Sequence, residues 1–170
     1  MARRWIPLIL ISLGLIIVGL GLGYGFYLRS LESIAPVPLP DELAGLPLFR
    51  EVSGPSALAE LSMMHRQGFP LNKGSVGSYG SQNEITVWVA GTPMRFMAGG
   101  LLTAMRDTIA WGDSPFSPLG ELKIEDRTVY ELDGMGQQHY YFRSEGLIVW
   151  LAVEKSLAEE VLYGVLEFYP

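Results

Sequence analysis

Cysteine is absent from this 170-residue chain, histidine occurs twice, and charged residues make up only 18%, against about 25% in ordinary soluble domains. Without the sulfur there can be no disulfide framework, thiolate zinc site, cysteine-held iron–sulfur cluster, CxxCH haem attachment or lipidated cysteine. Basic charge is also short, with 12 Lys and Arg facing 18 Asp and Glu for a formal net charge of −6. A surface that neutralises phosphates needs the opposite balance, so nucleic acid is not an expected partner.

The usual catalytic spacings are missing as well. His65 and His139 form no HxH, HExxH or HxxxH pair, so no metal is expected and surface or turn positions suit both. The serines of Gly74-Ser75-Val76-Gly77-Ser78-Tyr79-Gly80 lack the GxSxG spacing of a nucleophile elbow. No Walker loop is present, and Gly134-Met135-Gly136-Gln137-Gln138-His139 lacks the third glycine of a dinucleotide loop. Glu125-Asp126 and Glu131/Asp133 read as solvated turn charges rather than a glycosidase pair, and no DxDxDG calcium loop occurs. The expectation is a protein that is not an enzyme and carries no cofactor.

What is present begins with a 24-residue run without charge, Trp5 to Leu28. As a helix it would extend roughly 36 Å, enough to cross a hydrocarbon layer of about 30 Å with modest tilt. Trp5, Tyr24, Phe26 and Tyr27 stand where interfacial aromatics are favoured, and Arg3 and Arg4 against Arg29 predict a cytoplasmic N-terminus at 1–4 and an extracytoplasmic C-terminal domain in the cell membrane. A cleaved signal peptide is the competing reading, but its apolar region is usually about 7 to 15 residues long and Pro36 after Ala35 obstructs cleavage. Within the span, Gly14, Gly21 and Gly25 share one stripe, while Ser12, Gly19 and Gly23 lie nearly opposite. Small faces of this kind let helices approach closely, and the expected partners are membrane lipid and other transmembrane helices of a membrane complex.

Residues 29–48 read as a stalk, because Pro36, Pro38, Pro40 and Pro47 suit an extended chain; its apolar residues suggest that part of it lies against the domain or the membrane. The exported domain is expected over 49–170. Gly54 and Pro55 open a first helix that Gly68 ends. Strands are predicted over 74–79 and 84–90, a helix from Thr92-Pro93 to Ala110, and a loop over 112–118. Four strands follow over 120–124, 128–132, 138–143 and 147–153. Ser156 and Glu159 look like a capping box for a last helix. The fold class is α+β, with an antiparallel sheet of five or six strands and about three helices mainly on one face.

Ile85-Thr86-Val87-Trp88-Val89-Ala90 resembles Leu147-Ile148-Val149-Trp150-Leu151-Ala152 at an offset of 62, with Tyr79 and Tyr141 also at that offset, which suggests a duplicated strand-turn-strand-helix unit. Alternation puts Val87, Val89, Val149 and Leu151 on one face and Trp88 and Trp150 on the other. Either His139/Tyr141 or Tyr140/Phe142 joins the tryptophans. That aromatic face, with Trp88, Trp150, Tyr141 and His139, is the candidate docking surface, unless the stalk and loops roof it. The leading expectation is a non-catalytic accessory or stabilising subunit of a larger membrane complex, an electron-transfer complex among the candidates. The alternative is a membrane-tethered extracytoplasmic binding module that uses the aromatic face.

Overall fold

A computed structural model describes residues 5–64, 69–112 and 114–170, and it divides into two units, one ending at Ser33 and one covering Ile34–Pro170. His65, the Gly68 helix end and Asp113 of the 112–118 loop lie outside the described residues.

The first unit is a single helix, α1 (Ile6–Glu32), of 27 residues. Pro7 sits in its first turn, where a missing N–H costs nothing, and its most apolar 18-residue window has a mean hydropathy of 2.5. At about 1.5 Å per residue it is roughly 40 Å long. It is therefore long and apolar enough to cross a membrane.

The second unit is α+β. In chain order it contains β1 (Glu42–Leu43), β2 (Leu46–Ser53), α2 (Pro55–Met64), β3 (Lys73–Tyr79), β4 (Ile85–Gly91) and α3 (Arg95–Ala110). Then come β5 (Ser117–Ile124), β6 (Arg127–Gly134), β7 (Gln137–Ser144), β8 (Leu147–Val153) and α4 (Ala158–Phe168). The strands form one antiparallel sheet in the order β1-β2-β3-β4-β8-β7-β6-β5. Eight strands replace the expected five or six. The two additions, β1 and β2, come from the proline-rich stretch, where Pro47 pairs opposite Glu42 beside the sheet edge, a place that tolerates a residue without an N–H.

That stretch is part of the domain. Val37 and Leu43 are buried in the main core, and the Val37 N–H donates to Ser75 Oγ at 2.9 Å. The Tyr79 hydroxyl donates to the Pro40 carbonyl at 2.9 Å and the Tyr169 hydroxyl to the Pro38 carbonyl at 2.7 Å. Each proline carbonyl is an ordinary acceptor, and the two phenols satisfy them in a segment that contributes few N–H donors of its own. Burial raises the pKa of both phenols, so they are neutral donors at ordinary pH.

Helices lie on both faces of the sheet, α2 and α3 on one and α4 on the other. Val87, Val89, Val149 and Leu151 meet Val161, Leu162, Val165 and Leu166 of α4 together with the proline-rich segment. The opposite face carries Ile148, Leu132 and Tyr141 beneath Ala98, Leu101 and Ile109 of α3. Gly74 lets α2 settle there too, since a Cβ at that position would stand 2.4 Å from Leu58 Cδ1. The capping box is also corrected: α4 starts at Ala158 behind Leu157, with no side-chain cap, and Ser156 stands in the preceding turn.

The internal likeness is confined to strands. β4 and β8 are neighbours with Trp88 directly opposite Trp150, so an approximate local two-fold passes through that pair. Tyr79 faces Ile85 whereas Tyr141 faces Trp150, so the tyrosines are not equivalent in register. The helices that follow β4 and β8 pack on opposite faces, which a two-fold normal to the sheet does not allow.

Gly99 and Gly100 lie inside α3, which runs through them unbroken. A Cβ at Gly100 would meet nothing within 4 Å, so its lack of a side chain serves no packing purpose. Gly100→Ala should stabilise the fold by about 1 kcal/mol through helix propensity, raising the melting temperature of the full chain by roughly 3 °C. A lowered melting temperature would show that the glycine is needed.

Candidate functional site

Register brings the sequence-predicted aromatic residues together. Val76, Trp88, Trp150, Tyr141 and Tyr130 stand side by side across β3, β4, β8, β7 and β6. Tyr141 stacks on Trp150 with ring centroids 5.2 Å apart and on Tyr130 at 4.8 Å. His139 and Tyr141 are the β7 pair on this face, while Tyr140 and Phe142 point into the α4 core. Burial and the neighbouring Tyr130 raise the Tyr141 pKa, and burial together with Glu131 pushes Tyr140 up to about 12.

Part of this face lies under helices and under Phe116 of the 112–118 loop. α2 and α3 cover it incompletely and leave a cavity of about 400 Å³, within the usual range for small-molecule sites. Trp88, Trp150, Ala90 and Ile148 form its floor, and Leu61 of α2 and Met105 of α3 form opposite walls. Phe116, Met135, Gln137 and His139 close the end nearest the β6–β7 turn.

The polar groups around the cavity are unequally satisfied. The Trp150 indole N–H donates to His139 Nδ1 at 3.1 Å. Because an indole only donates, Nδ1 accepts, and Nε2 carries the proton that it shares with the Gly134 carbonyl at 3.1 Å. Phe116 packs against both rings, 4.7 Å from His139 and 5.1 Å from Trp150. His139 is therefore a neutral wall residue with both nitrogens engaged. Trp88, its in-register counterpart's twin in sequence, has a buried indole N–H with no acceptor. Among the described residues only the Asn72 side-chain oxygen shares that condition.

Burial lowers the His139 pKa, and the weaker opposing influences are the Gly134 carbonyl and Asp133. A folded-state value below the unfolded one means that the unfolded chain binds more protons as pH falls. This contribution to stability is then complete above the ordinary imidazole value of about 6.5 and is lost as pH drops through the depressed folded value. The urea midpoint of the full chain should therefore fall between pH 7.5 and 5.5, and His139→Gln should flatten that slope. An equal slope in the variant would remove His139 as the cause.

Met135 is the site residue that composition alone does not reveal. It occupies the first central position of the β6–β7 hairpin at φ 52°, followed by Gly136 at φ 83°, a turn that favours Asn or Gly in its first place. An exposed methionine there is locally unfavourable, yet it borders the cavity.

Among the described residues, no group of three or more His, Asp or Glu is placed to hold a metal. Gly14, Gly19, Gly21, Gly23 and Gly25 lie on α1, each with open space where a Cβ would be. No protein family, curated protein or solved structure matches the chain, so the cavity itself carries the functional reading.

Proposed function

We propose that this chain is a non-catalytic, single-pass membrane protein whose extracytoplasmic domain is a binding module built around the cavity beneath α2 and α3. α1 anchors it, with the N-terminus in the cytoplasm. The observation that supports this reading is the cavity itself, about 400 Å³ and lined among the described residues mostly by apolar and aromatic side chains.

The test uses the full chain in lipid nanodiscs and an uncharged naphthylamine fluorophore that brightens in apolar surroundings. Saturable emission above that of empty discs is expected. It should be lost in Ala90→Phe, which fills the floor of the cavity, provided circular dichroism shows that variant folded. Absence of a saturable signal in the native chain would contradict the module.

The glycine faces of α1 favour a second reading that is compatible with the first. The helix is apolar around its whole circumference and its glycines face open space, which suits attachment as an accessory or stabilising subunit of a larger membrane complex. Were that an electron-transfer complex, a chain without cysteine would brace a cysteine-bound centre rather than ligate it. Gly21→Leu/Gly25→Leu should then release the chain from its partner on a native gel in gentle detergent. Unchanged migration would reject this mode of attachment.

A further inference from the structure

We infer that β5, the exposed edge strand of the sheet, pairs antiparallel with β5 of a second copy of this chain about a two-fold axis at Leu122. This goes beyond the cavity and does not depend on it.

The open edge is the first argument. β5 ends the sheet order, and every residue from Ser117 to Lys123 is exposed. Among the described residues, its backbone pairs with β6 alone. A row of unpaired N–H and C=O groups is a template for another strand. Leu119 and Leu122 are 57% and 37% exposed there, apolar side chains on a solvated strand.

Register decides which groups face outward. Glu125 and Asp126 form a two-residue turn between Ile124 and Arg127, and the pair flanking such a turn exchanges both ladder bonds. Bonded pairs alternate from there, so Ile124 and Leu122 bond to β6, while Glu121 and Lys123 turn their N–H and C=O groups to the open edge. An added strand is therefore held at Glu121 and Lys123.

Charge selects the occupant. Glu121 and Lys123 are two positions apart and so project from one face of the sheet. With the axis at Leu122, Glu121 of each copy stands directly opposite Lys123 of the other, in pairs that exchange both backbone bonds, and Leu122 meets Leu122. An axis at Glu121 or at Lys123 would set like charges against each other. A lone lysine on an edge strand blocks pairing, but here the counter-charge is built into the same strand. Glu121 has no ion pair among the described residues, and Lys123 Nζ donates to Thr128 Oγ1 in a solvent-exposed bond that an ion pair can replace. One strand pair is a small interface. The anchoring proposed for α1 strengthens it by raising the effective concentration of copies in one bilayer.

The experiment reconstitutes an equal mixture of ¹⁴N- and ¹⁵N-labelled full chain in liposomes and couples contacting carboxylates to amines with a carbodiimide. Mass spectrometry is expected to find Glu121 joined to Lys123 in peptides of mixed isotope, which only contact between copies produces. A second arm places one cysteine in a chain that has none, Leu122→Cys. Directly opposed residues of a non-bonded pair stand about 4.5 Å apart at Cα, within disulfide reach. Adding Glu121→Lys or Lys123→Glu should slow disulfide-dimer formation about threefold to tenfold, and both together should restore it.

Links confined to single-isotope peptides would overturn the pairing, as would Leu122→Cys dimers that form no faster than those of Thr103→Cys on α3. Dimer formation indifferent to the charge changes would overturn the axis at Leu122. In native membranes, Leu122→Cys joined to a different protein and never to itself would overturn the second copy as occupant.

Discussion

Trp150→Ala is expected to lower the unfolding free energy of the domain by about 3–5 kcal/mol, a large part of the stability of an ordinary domain. Three losses add up. The stack on Tyr141 at 5.2 Å disappears, Phe116 loses a wall, and His139 Nδ1 is left without its donor. Phenylalanine separates these effects, because it keeps much of the ring area and removes only the N–H. Trp150→Phe should still cost about 1–3 kcal/mol, since it orphans a buried acceptor. Trp88→Phe should be neutral or slightly stabilising, because the N–H it removes has no partner. Urea unfolding of the full chain checks the pair. Equal losses at the two positions would refute this inequality of the two tryptophans.

This inequality also changes how the aromatic face should be probed. A double alanine variant of Trp88 and Trp150 would confound lost binding with lost folding, since Trp150 holds the face together. Trp88 alone is the informative position, and its conservative replacement is the cleaner tool.

Arg127→Ala carries the second large expectation, a loss of about 2–3 kcal/mol. Arg127 opens β6 and reaches the C-terminal end of α4. Its Nη1 donates to the Leu166 carbonyl at 3.0 Å and the Tyr169 carbonyl at 2.6 Å. The last carbonyls of a helix have no partner within it and carry its partial negative charge, so a guanidinium there satisfies both needs. Its carbon stands 5.9 Å from the centre of the Phe142 ring, which adds a cation–π contact. Arg127→Lys, with one compact ammonium, should recover only part of the loss. Glu125 reaches Arg127 at 3.4 Å but is 79% exposed, so Glu125→Gln should alter stability by less than about 0.5 kcal/mol. A loss from Arg127→Ala no larger than that from Glu125→Gln would show that the helix end does not depend on the arginine.

The sequence is most legible where local pattern and tertiary burial agree. β4 and β8 are short β-branched and apolar runs that fit strands with one face on α4 and the other carrying the tryptophans, and their predicted bounds differ from the observed ones by a residue at most. The choice of His139 and Tyr141 over Tyr140 and Phe142 was reducible to two options by period and settled by register. β1 and β2 were hidden because prolines signal an extended tether, whereas the bonds that bind this stretch come from Tyr79 and from Tyr169, 131 positions beyond Pro38. No local window contains that information.

The cavity was hidden for a similar reason. It is a gap between α2 and α3, and its existence depends on how far apart two helices settle on a shared face. Met135 offered one local signal, an apolar residue in a turn position that favours Asn or Gly, inside the GMGQQHYYF segment. The distinction between Trp88 and Trp150 was invisible, since their strands read alike and only the placement of His139 opposite Ala152 gives one indole an acceptor.

The central claim is that the cavity beneath α2 and α3 is a binding site for an uncharged, largely apolar molecule. The chain has four tryptophans, so its indole ¹⁵N–¹H resonances can be assigned by single Trp→Phe replacements in labelled full-length protein in nanodiscs. On titration with the uncharged naphthylamine fluorophore, the resonances of Trp88 and Trp150, which line the cavity, should move and saturate, while that of the exposed Trp111 holds nearly still. Stationary Trp88 and Trp150 resonances at fluorophore concentrations that saturate the emission would contradict the account.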